Sequence, residues 1–133
     1  MYLADTSAWI NAQKQPPAGK GVLLKRLLAA GSPPVGVTGV IIQEVLQGAR
    51  DEAAFARLQR YMDSRPRYES AAPESLHARA AHLYARCRWQ GQTPRKSTDC
   101  LIACIALEHD LTLLHDDRDF EAIAVIEPRL KLA

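Results

Sequence analysis

The first ten residues constrain the fold more than any other stretch of the chain. Met1–Ala4 form a short, mostly apolar run that ends at Asp5 and is followed by Thr6, Ser7 and an apolar segment. Such a run predicts a buried strand, with Thr6 or Ser7 capping the helix behind it. Asp5 would then lie at the carboxyl end of a strand, where open α/β sheets bind their ligands. A charge buried there is costly unless it is paired, and a cation is the simplest partner.

Beyond this segment, apolar runs of strand length alternate with longer segments of helical periodicity. The patterns predict helices over 8–13, 20–30, 39–47, 51–62, 73–89 and 97–109, and strands over 34–38, 111–115 and 122–126, with a minor strand over 67–70. The helices within 39–62 would form a hairpin because the link between them is short. The alternation predicts a single α/β domain over 1–133, with a mostly parallel sheet covered on both faces. The tail after Pro128 is expected at the surface.

Charge, hydropathy and cysteine usage exclude several classes of protein. The net charge of +2 is too small to indicate nucleic-acid binding by itself, so a basic footprint must come from local clustering. Asp5 interrupts the region where a signal peptide would begin, and no apolar run approaches the roughly 18 residues of a membrane span. Cys87, Cys100 and Cys104 suit reduced, buried thiols; a zinc pair is the alternative, but a second ligand pair is lacking. We therefore expect a cytoplasmic protein without a membrane segment.

Acidic residues stand among apolar ones at four places in the chain. These are Asp5, Glu44, Asp99 and the group Asp116, Asp117 and Asp119. Each has an ordinary structural explanation: a helix cap, an exposed helical stripe, an interaction with a helix dipole and a solvated loop, respectively. The apolar residues around Glu44 and after Asp99 favour burial instead. In a parallel sheet the four places would converge on one edge.

Carboxylates gathered at one edge predict a site for a divalent cation. They would repel one another and raise their pKa values, and such clusters are tolerated mainly by binding Mg²⁺ or Mn²⁺. A metal held by carboxylates activates water and neutralises charge on phosphate oxygens, which suits phosphodiester hydrolysis. The sequence has no Gly-rich phosphate loop, no His–Cys zinc spacing and no convincing nucleophile with its base. Metal-dependent hydrolysis is the chemistry that the residues favour.

Four motifs in a fixed order carry a resemblance to a known family. They are Asp5-Thr6-Ser7 after the first strand, Gln43-Glu44-Val45 with Gly48, Thr98-Asp99-Cys100-Leu101-Ile102-Ala103, and Leu114-His115-Asp116-Asp117-Arg118-Asp119-Phe120. This order resembles the PIN-domain ribonucleases, and the chain is similar to a stand-alone PIN domain of the VapC toxin type. The match covers essentially the whole chain, and the ordered set is specific although no single motif is.

The resemblance implies a three-layer α/β/α fold and a Mg²⁺-dependent endoribonuclease, with Mn²⁺ as the alternative ion. Its metal-binding and catalytic acids would be Asp5, Glu44, Asp99 and Asp117, while Asp116 and Asp119 stay open as the fourth acid. Thr6, Ser7 and Asp116 would support these ligands. The resemblance also implies an RNA substrate, a VapB-type antitoxin that covers the site, a homodimer and a toxin–antitoxin hetero-oligomer. The hairpin over 39–62 is the predicted antitoxin groove.

A basic group precedes the acidic helix and leaves two interpretations open. Arg86, Arg88, Arg95 and Lys96 could hold RNA phosphates or form an ordinary solvated face. Other classes fit less well: a haloacid-dehalogenase-type phosphatase would need an acid where Ser7 stands, and a receiver domain would need paired acids near the first strand and a lysine after a late strand. The main rival is a PIN-like module that binds RNA or protein without catalysis. Clustered carboxylates argue against it, since they would face an anionic ligand.

Overall fold

The computed structural model describes residues 1–133 as four short strands and seven helices. The strands are β1 (Tyr2–Ala4), β2 (Val35–Gly36), β3 (Thr112–Leu114) and β4 (Lys131–Leu132). The helices are α1 (Thr6–Gln13), α2 (Lys20–Ala30), α3 (Gly39–Leu46), α4 (Glu52–Asp63), α5 (Pro73–Trp89), α6 (Thr98–Glu108) and α7 (Arg118–Ile126). None of the helices is both long and apolar enough to cross a membrane.

The four strands form one parallel sheet in the order β2-β1-β3-β4. The chain moves from β1 to β2 on one side and then returns to β3 on the other side of β1. Because parallel crossovers are right-handed, this reversal places α1 and α2 on one face and the later α7 crossover on the opposite face. It also opens a crevice between the carboxyl ends of β1 and β3, which is where such sheets bind ligands. The predicted α/β architecture with a parallel sheet is confirmed.

The core is built on the central strands and on α6. Leu3, Ala4, Leu113 and Leu114 are fully buried in β1 and β3. Helix α6 is buried over most of its surface, from Asp99 through Ala106, which agrees with the apolar sequence that follows Asp99. A helix covered on nearly all sides holds its first turn in a fixed position, so Asp99 is rigidly placed at the sheet edge.

Most helix boundaries agree with the sequence predictions. The bounds of α2 and α5 are those predicted, and the hairpin of α3 and α4 is present, with the Asp51 side chain accepting the Ala54 N–H as a cap. The predicted cap of α1 at Thr6 or Ser7 is wrong, and the alternative of Asp5 as a helix cap is confirmed: Asp5 is the N-cap and its side chain accepts the Ser7 N–H. The first acid therefore ends the strand and begins the helix at the same time.

Two predictions near the C-terminus are wrong. The segment 122–126, predicted as a strand, belongs to α7, because Phe120, Ile123 and Ile126 lie on one buried helical face. The tail after Pro128 is not simply a surface segment, since Leu130 is buried and 131–132 form β4 beside β3. The minor strand over 67–70 is also absent; Arg67 makes a single parallel bridge with Val37.

Candidate active site

Asp5 enters the site from the end of β1. It is 2% exposed, and its Oδ2 accepts the Ser7 N–H at 3.0 Å and the Ser7 hydroxyl at 2.6 Å. Burial raises the pKa of Asp5; the Ser7 hydrogen bonds oppose that shift, and the nearby Glu44 carboxylate adds to it. Ser7, predicted to support the acids, therefore fixes the direction of the Asp5 carboxylate.

Glu44 reaches the same place from α3, where it is half-buried rather than part of an exposed stripe. The Thr6 hydroxyl donates a 2.8 Å hydrogen bond to Glu44 Oε1 across 38 residues of sequence. The two hydroxyls that follow β1 thus hold two different acids, Ser7 for Asp5 and Thr6 for Glu44. This pairing requires the Asp-Thr-Ser order at the start of α1.

Asp99 is the most completely buried of these acids. It lies in the first turn of α6 and is 1% exposed, yet neither carboxylate oxygen has a hydrogen-bond partner. Desolvation by burial raises its pKa to about 7; Lys96 opposes the shift, while Asp5, Asp117 and Asp119 reinforce it. It is the only buried carboxylate in the chain with both oxygens unsatisfied. Native structures rarely leave such groups without a ligand, so the position calls for a cation.

Two of the three acids after β3, Asp117 and Asp119, lie close to Asp99. One carboxylate oxygen from each of Asp99, Asp117 and Asp119 lies within 4.8 Å of the other two. Asp117 caps α7 by accepting the Asp119 N–H at 3.0 Å, and its own N–H donates to His115 Nδ1 at 3.1 Å. The structure thus brings Asp117 and Asp119 to Asp99, and both stay candidates for the fourth acid.

Asp116 points away from this group. Its Oδ2 accepts hydrogen bonds from Asn11 Nδ2 at 2.6 Å and from the Lys20 N–H at 2.8 Å. Its backbone N–H donates to the Ser7 hydroxyl at 3.0 Å. Gly19, at φ +48°, lies so close that a Cβ there would meet Asp116 Oδ2 at 2.6 Å. Asp116 therefore ties the loop after β3 to the α1–α2 connection and reaches Asp5 only through Ser7.

Two basic residues of the α5–α6 loop enter the acid cluster. The Arg95 guanidinium binds Asp117 Oδ1 and Asp119 Oδ2, each at 3.0 Å, and its backbone N–H also donates to Asp119. Burial alone would raise the pKa of Asp119, but these Arg95 hydrogen bonds outweigh it and lower that pKa. Lys96 Nζ lies 3.6 Å from Glu44 Oε2 and 4.0 Å from Asp99 Oδ1.

The cations do not balance the acids. Five carboxylates, those of Asp5, Glu44, Asp99, Asp117 and Asp119, share the site with Arg95 and Lys96. Burial alone would lower the pKa of Lys96. The carboxylates around it outweigh burial and raise that pKa; they are those of Asp99, Glu44, Asp5 and Asp117. An excess of negative charge thus stays at the crevice, and the one acid that lacks a hydrogen-bond donor is the most buried.

The four predicted phosphate-binding residues do not gather on one face. Arg86 donates to Glu127 Oε1 at 3.4 Å and to the Ile126 carbonyl at 3.0 Å, whereas Arg88 is exposed on α5. Arg95 and Lys96 pair with the acids instead. Sequence analysis missed that these two residues belong to the acidic site; their only signal is that they lie within four residues of Asp99.

The donor set fits a hard divalent cation. Every candidate ligand is a carboxylate, and Mg²⁺ and Mn²⁺ prefer oxygen ligands. The unsatisfied oxygens of Asp99 are the structural observation that supports this fit, because they have no other partner. All three cysteines are buried free thiols, and none belongs to a group of residues that could hold a metal ion. The alternative of a zinc pair is therefore not supported.

Comparison with known proteins finds a family and relatives that match nearly the whole chain. A family model described as PIN domain matches residues 2–126. Ribonuclease VapC11 of Mycobacterium tuberculosis is 33% identical over 126 residues, which is 95% of this chain and 93% of that relative. The match extends over nearly the whole length of both proteins.

Two solved structures share the fold at low sequence identity. One is VapBC-1 from nontypeable Haemophilus influenzae, with a TM-score of 0.75, 18% identity, and coverage of 99% of this chain and 96% of that chain. The other is VapBC2 from Rickettsia felis bound to a DNA fragment from its promoter, with a TM-score of 0.74, 20% identity and the same coverage. Together they show that the strand order and helix arrangement described above form a recurring fold.

Proposed function

This chain belongs to the PIN-domain family, and we propose that it is a metal-dependent endoribonuclease that acts as the toxin of a toxin–antitoxin pair. The relative VapC11 is named as a ribonuclease, and the two structural neighbours are named as VapBC pairs. Hydrolysis of an RNA phosphodiester bond is the reaction that an oxygen-lined, anionic crevice with a bound divalent cation supports best.

The single observation that carries the proposal is the state of Asp99. A carboxylate that is 1% exposed, with both oxygens unpaired, is costly to keep in a folded protein. A helix dipole alone does not require such burial, since an acid in a first turn can interact with the dipole from the surface. A cation between Asp99 and its acidic neighbours supplies the missing partner.

The residues that would hold the ion are Asp5, Glu44, Asp99 and Asp117, with Asp119 as a further candidate because of its distance from Asp99. Mg²⁺ is the proposed ion, and Mn²⁺ would also suit these ligands. When bound, such an ion lowers the pKa of water and neutralises charge on a phosphoryl group.

The chain itself supplies orientation around the ion. Ser7 and Thr6 donate to Asp5 and Glu44, so the two carboxylates keep their remaining oxygens directed into the crevice. Arg95 ties Asp117 to Asp119 and fixes the loop before α6. Arg95 is also largely exposed, so it lies where the phosphates of an RNA strand would approach the acids.

The proposal includes partners. The antitoxin would be a VapB-type protein that covers the crevice. It would bind this chain in a groove at the α3–α4 hairpin, where Phe55 and Tyr61 are exposed. A homodimer of this chain and a hetero-oligomer with the antitoxin complete the assembly. The site of action would be the cytoplasm, where RNA is available and three free thiols stay reduced.

The experiment is to incubate the purified, partner-free protein with end-labelled total RNA, with Mg²⁺ and then with a chelator. Discrete fragments that require Mg²⁺ are expected from the wild type, and none from Asp99→Asn. The matched control is Asp63→Asn, because Asp63 is an exposed acid at the end of α4. This variant should cleave RNA like the wild type. Cleavage that persists in Asp99→Asn would contradict the proposal, whereas metal-independent RNA binding without cleavage would favour the non-catalytic module.

A further inference from the structure

Lys96 lies beside two of the acids proposed to hold the metal ion. Its Nζ is 3.6 Å from Glu44 Oε2 and 4.0 Å from Asp99 Oδ1, so it touches acids from two helices that are distant in sequence. The carboxylates of Asp5 and Asp117 also act on its charge. The Lys96 ammonium is thus the chain's own counterion for Glu44 and Asp99, while Arg95 pairs with Asp117.

The contacts of Lys96 are weak enough to be exchanged. Its ion pair with Asp99 is at the outer limit for such contacts, and Asp99 receives no hydrogen bond from it. The Lys96 side chain is 50% exposed, so it has open space into which it can move. Lysine carries its charge on a flexible four-carbon stem, and it can leave one position without moving the backbone.

The backbone next to Lys96 is held in place by its neighbour. Arg95 donates to Asp119 through both its backbone N–H and its Nε, and to Asp117 through Nη2. The loop before α6 is therefore fixed to α7, while the Lys96 side chain is free to change its contacts. Arg95 donates three hydrogen bonds to the carboxylates of the cluster, whereas the Lys96 ammonium donates none.

We propose that Lys96 competes with the divalent cation for the acid cluster, neutralising it in the metal-free protein and being displaced when the ion binds. This inference rests on the proposed function, because it requires the acids to bind a metal. Its consequence is a metal affinity lower than the acids alone would give. The crevice then stays partly neutralised until the concentration of the divalent ion is high enough to displace the ammonium group.

The test measures Mn²⁺ binding to the full chain by isothermal titration calorimetry. Lys96→Met keeps the length of the stem and removes the charge, so the Kd for Mn²⁺ should fall by about fivefold or more. Lys96→Arg keeps the charge and should bind within about twofold of the wild type. Lys14→Met is the control: it removes the same charge from an exposed position at the C-terminal end of α1, whose N-terminal end is capped by Asp5. The Kd of this variant for Mn²⁺ should stay within about twofold of the wild type.

A second readout follows the lysine directly. With ¹³C at the lysine ε-carbons, the NMR signal that disappears in Lys96→Met identifies Lys96. Addition of Mg²⁺ should move that signal toward the position of the solvent-exposed lysines. A far-ultraviolet circular dichroism spectrum of Lys96→Met that matches the wild type would show that the substitution leaves the fold intact.

The outcomes separate the inference from the function on which it rests. If Asp99→Asn abolishes Mn²⁺ binding but Lys96→Met binds no more tightly than the wild type, the competition is overturned and the metal site stands. An unmoved Lys96 signal on saturation with Mg²⁺ also overturns the competition. If Asp99→Asn binds Mn²⁺ as well as the wild type, the proposed metal site itself fails, and the competition fails with it.

Discussion

Two buried carboxylates at opposite edges of the sheet show how differently the chain treats an interior charge. Glu127 follows α7 at the edge where β4 begins and is 5% exposed, while Asp99 begins α6 at the opposite edge and is 1% exposed. Arg129 binds both Glu127 oxygens, at 2.8 Å and 2.9 Å, and Arg86 adds a contact at 3.4 Å. Asp99 accepts no hydrogen bond at all.

Their titration behaviour follows from these contacts. The hydrogen bonds from Arg129 outweigh burial and lower the pKa of Glu127 to about 2. Burial without such bonds raises the pKa of Asp99 to about 7. Burial alone therefore does not identify a functional acid. Glu127, which is buried and fully paired with arginines, holds the fold together, whereas Asp99, which is buried and unpaired, marks the place where a ligand binds.

The largest difference should appear in RNA cleavage. Asp99→Asn should reduce the rate in Mg²⁺ by more than the roughly 10- to 100-fold typical of residues that only support a metal ligand. Glu127→Gln should cleave at the wild-type rate per folded molecule, because Glu127 lies at the other edge of the sheet. The rates of RNA fragment formation at matched concentrations of folded protein test this. A loss in Glu127→Gln as large as that in Asp99→Asn would remove the distinction.

The same two substitutions should change stability in opposite directions. In metal-free buffer at pH 8, Asp99→Asn should raise the free energy of unfolding by about 1–3 kcal/mol, since it removes an unpaired buried charge. Glu127→Gln should lower it by about 1–3 kcal/mol, since it leaves Arg86 and Arg129 without their acceptor. Urea unfolding of both variants measures the change, and the same sign for both would contradict the comparison.

The contributions of Asp99 and Glu127 to stability should change with pH in opposite directions and over different pH ranges. Asp99 titrates near pH 7 when folded and near pH 3.8 when unfolded, so the folded state binds more protons between these values and the contribution of Asp99 to stability falls as pH rises. Glu127 behaves in the reverse way: its contribution is complete above about pH 4.5 and is lost as pH falls toward 2.

Differences in unfolding free energy between the wild type and each variant, measured from pH 2 to pH 8 without metal, test these windows. The advantage of Asp99→Asn over the wild type should grow between about pH 4 and pH 7 and then level off. An advantage that stayed constant with pH would show that Asp99 has an ordinary pKa and hidden partners.

The smallest effect concerns the hydroxyls around the acids. Ser7→Ala removes the 2.6 Å bond to Asp5 and the acceptor of the Asp116 N–H, so Mg²⁺ affinity should fall by about tenfold. Ser64→Ala removes a hydrogen bond of equal length to the Tyr61 carbonyl, far from the acids, and should leave Mg²⁺ affinity unchanged. Calorimetric titration of both variants compares them, and equal affinities would argue that Ser7 has no part in the site.

The sequence was sufficient for the elements with strong local signals. The β1–Asp5 junction, the α3–α4 hairpin and the buried α6 could be predicted because each combines an apolar run with a cap or a terminating residue. The prediction of a strand over 122–126 is wrong because it rested on the β-branched residues of that segment, which favour strands. Asp117 followed by acids in the next turn, with Phe120, Ile123 and Ile126 three apart, is a helix signal that was present in the same segment.

The contacts that depend on tertiary structure could not be predicted. Nothing local indicates that Lys96 meets Glu44 across 52 residues, or that Thr6 donates to the same acid. The sequence favoured Asp117 as the fourth acid but left Asp116 and Asp119 open. Only the turn after β3 separates Asp116 from the other two, because it sends Asp116 toward Asn11. The identity and the order of the acids in the chain could be predicted. The residues that bind each acid could not.

The most direct test of the account is the shift in melting temperature that Mg²⁺ produces in the wild type, Asp99→Asn and Glu127→Gln. An ion that binds only the folded protein raises its melting temperature, and does so more as the ion concentration exceeds the Kd. We expect a shift in the wild type and in Glu127→Gln, and none in Asp99→Asn. Equal shifts in all three proteins would contradict the claim that the unpaired carboxylate of Asp99 is where the metal binds.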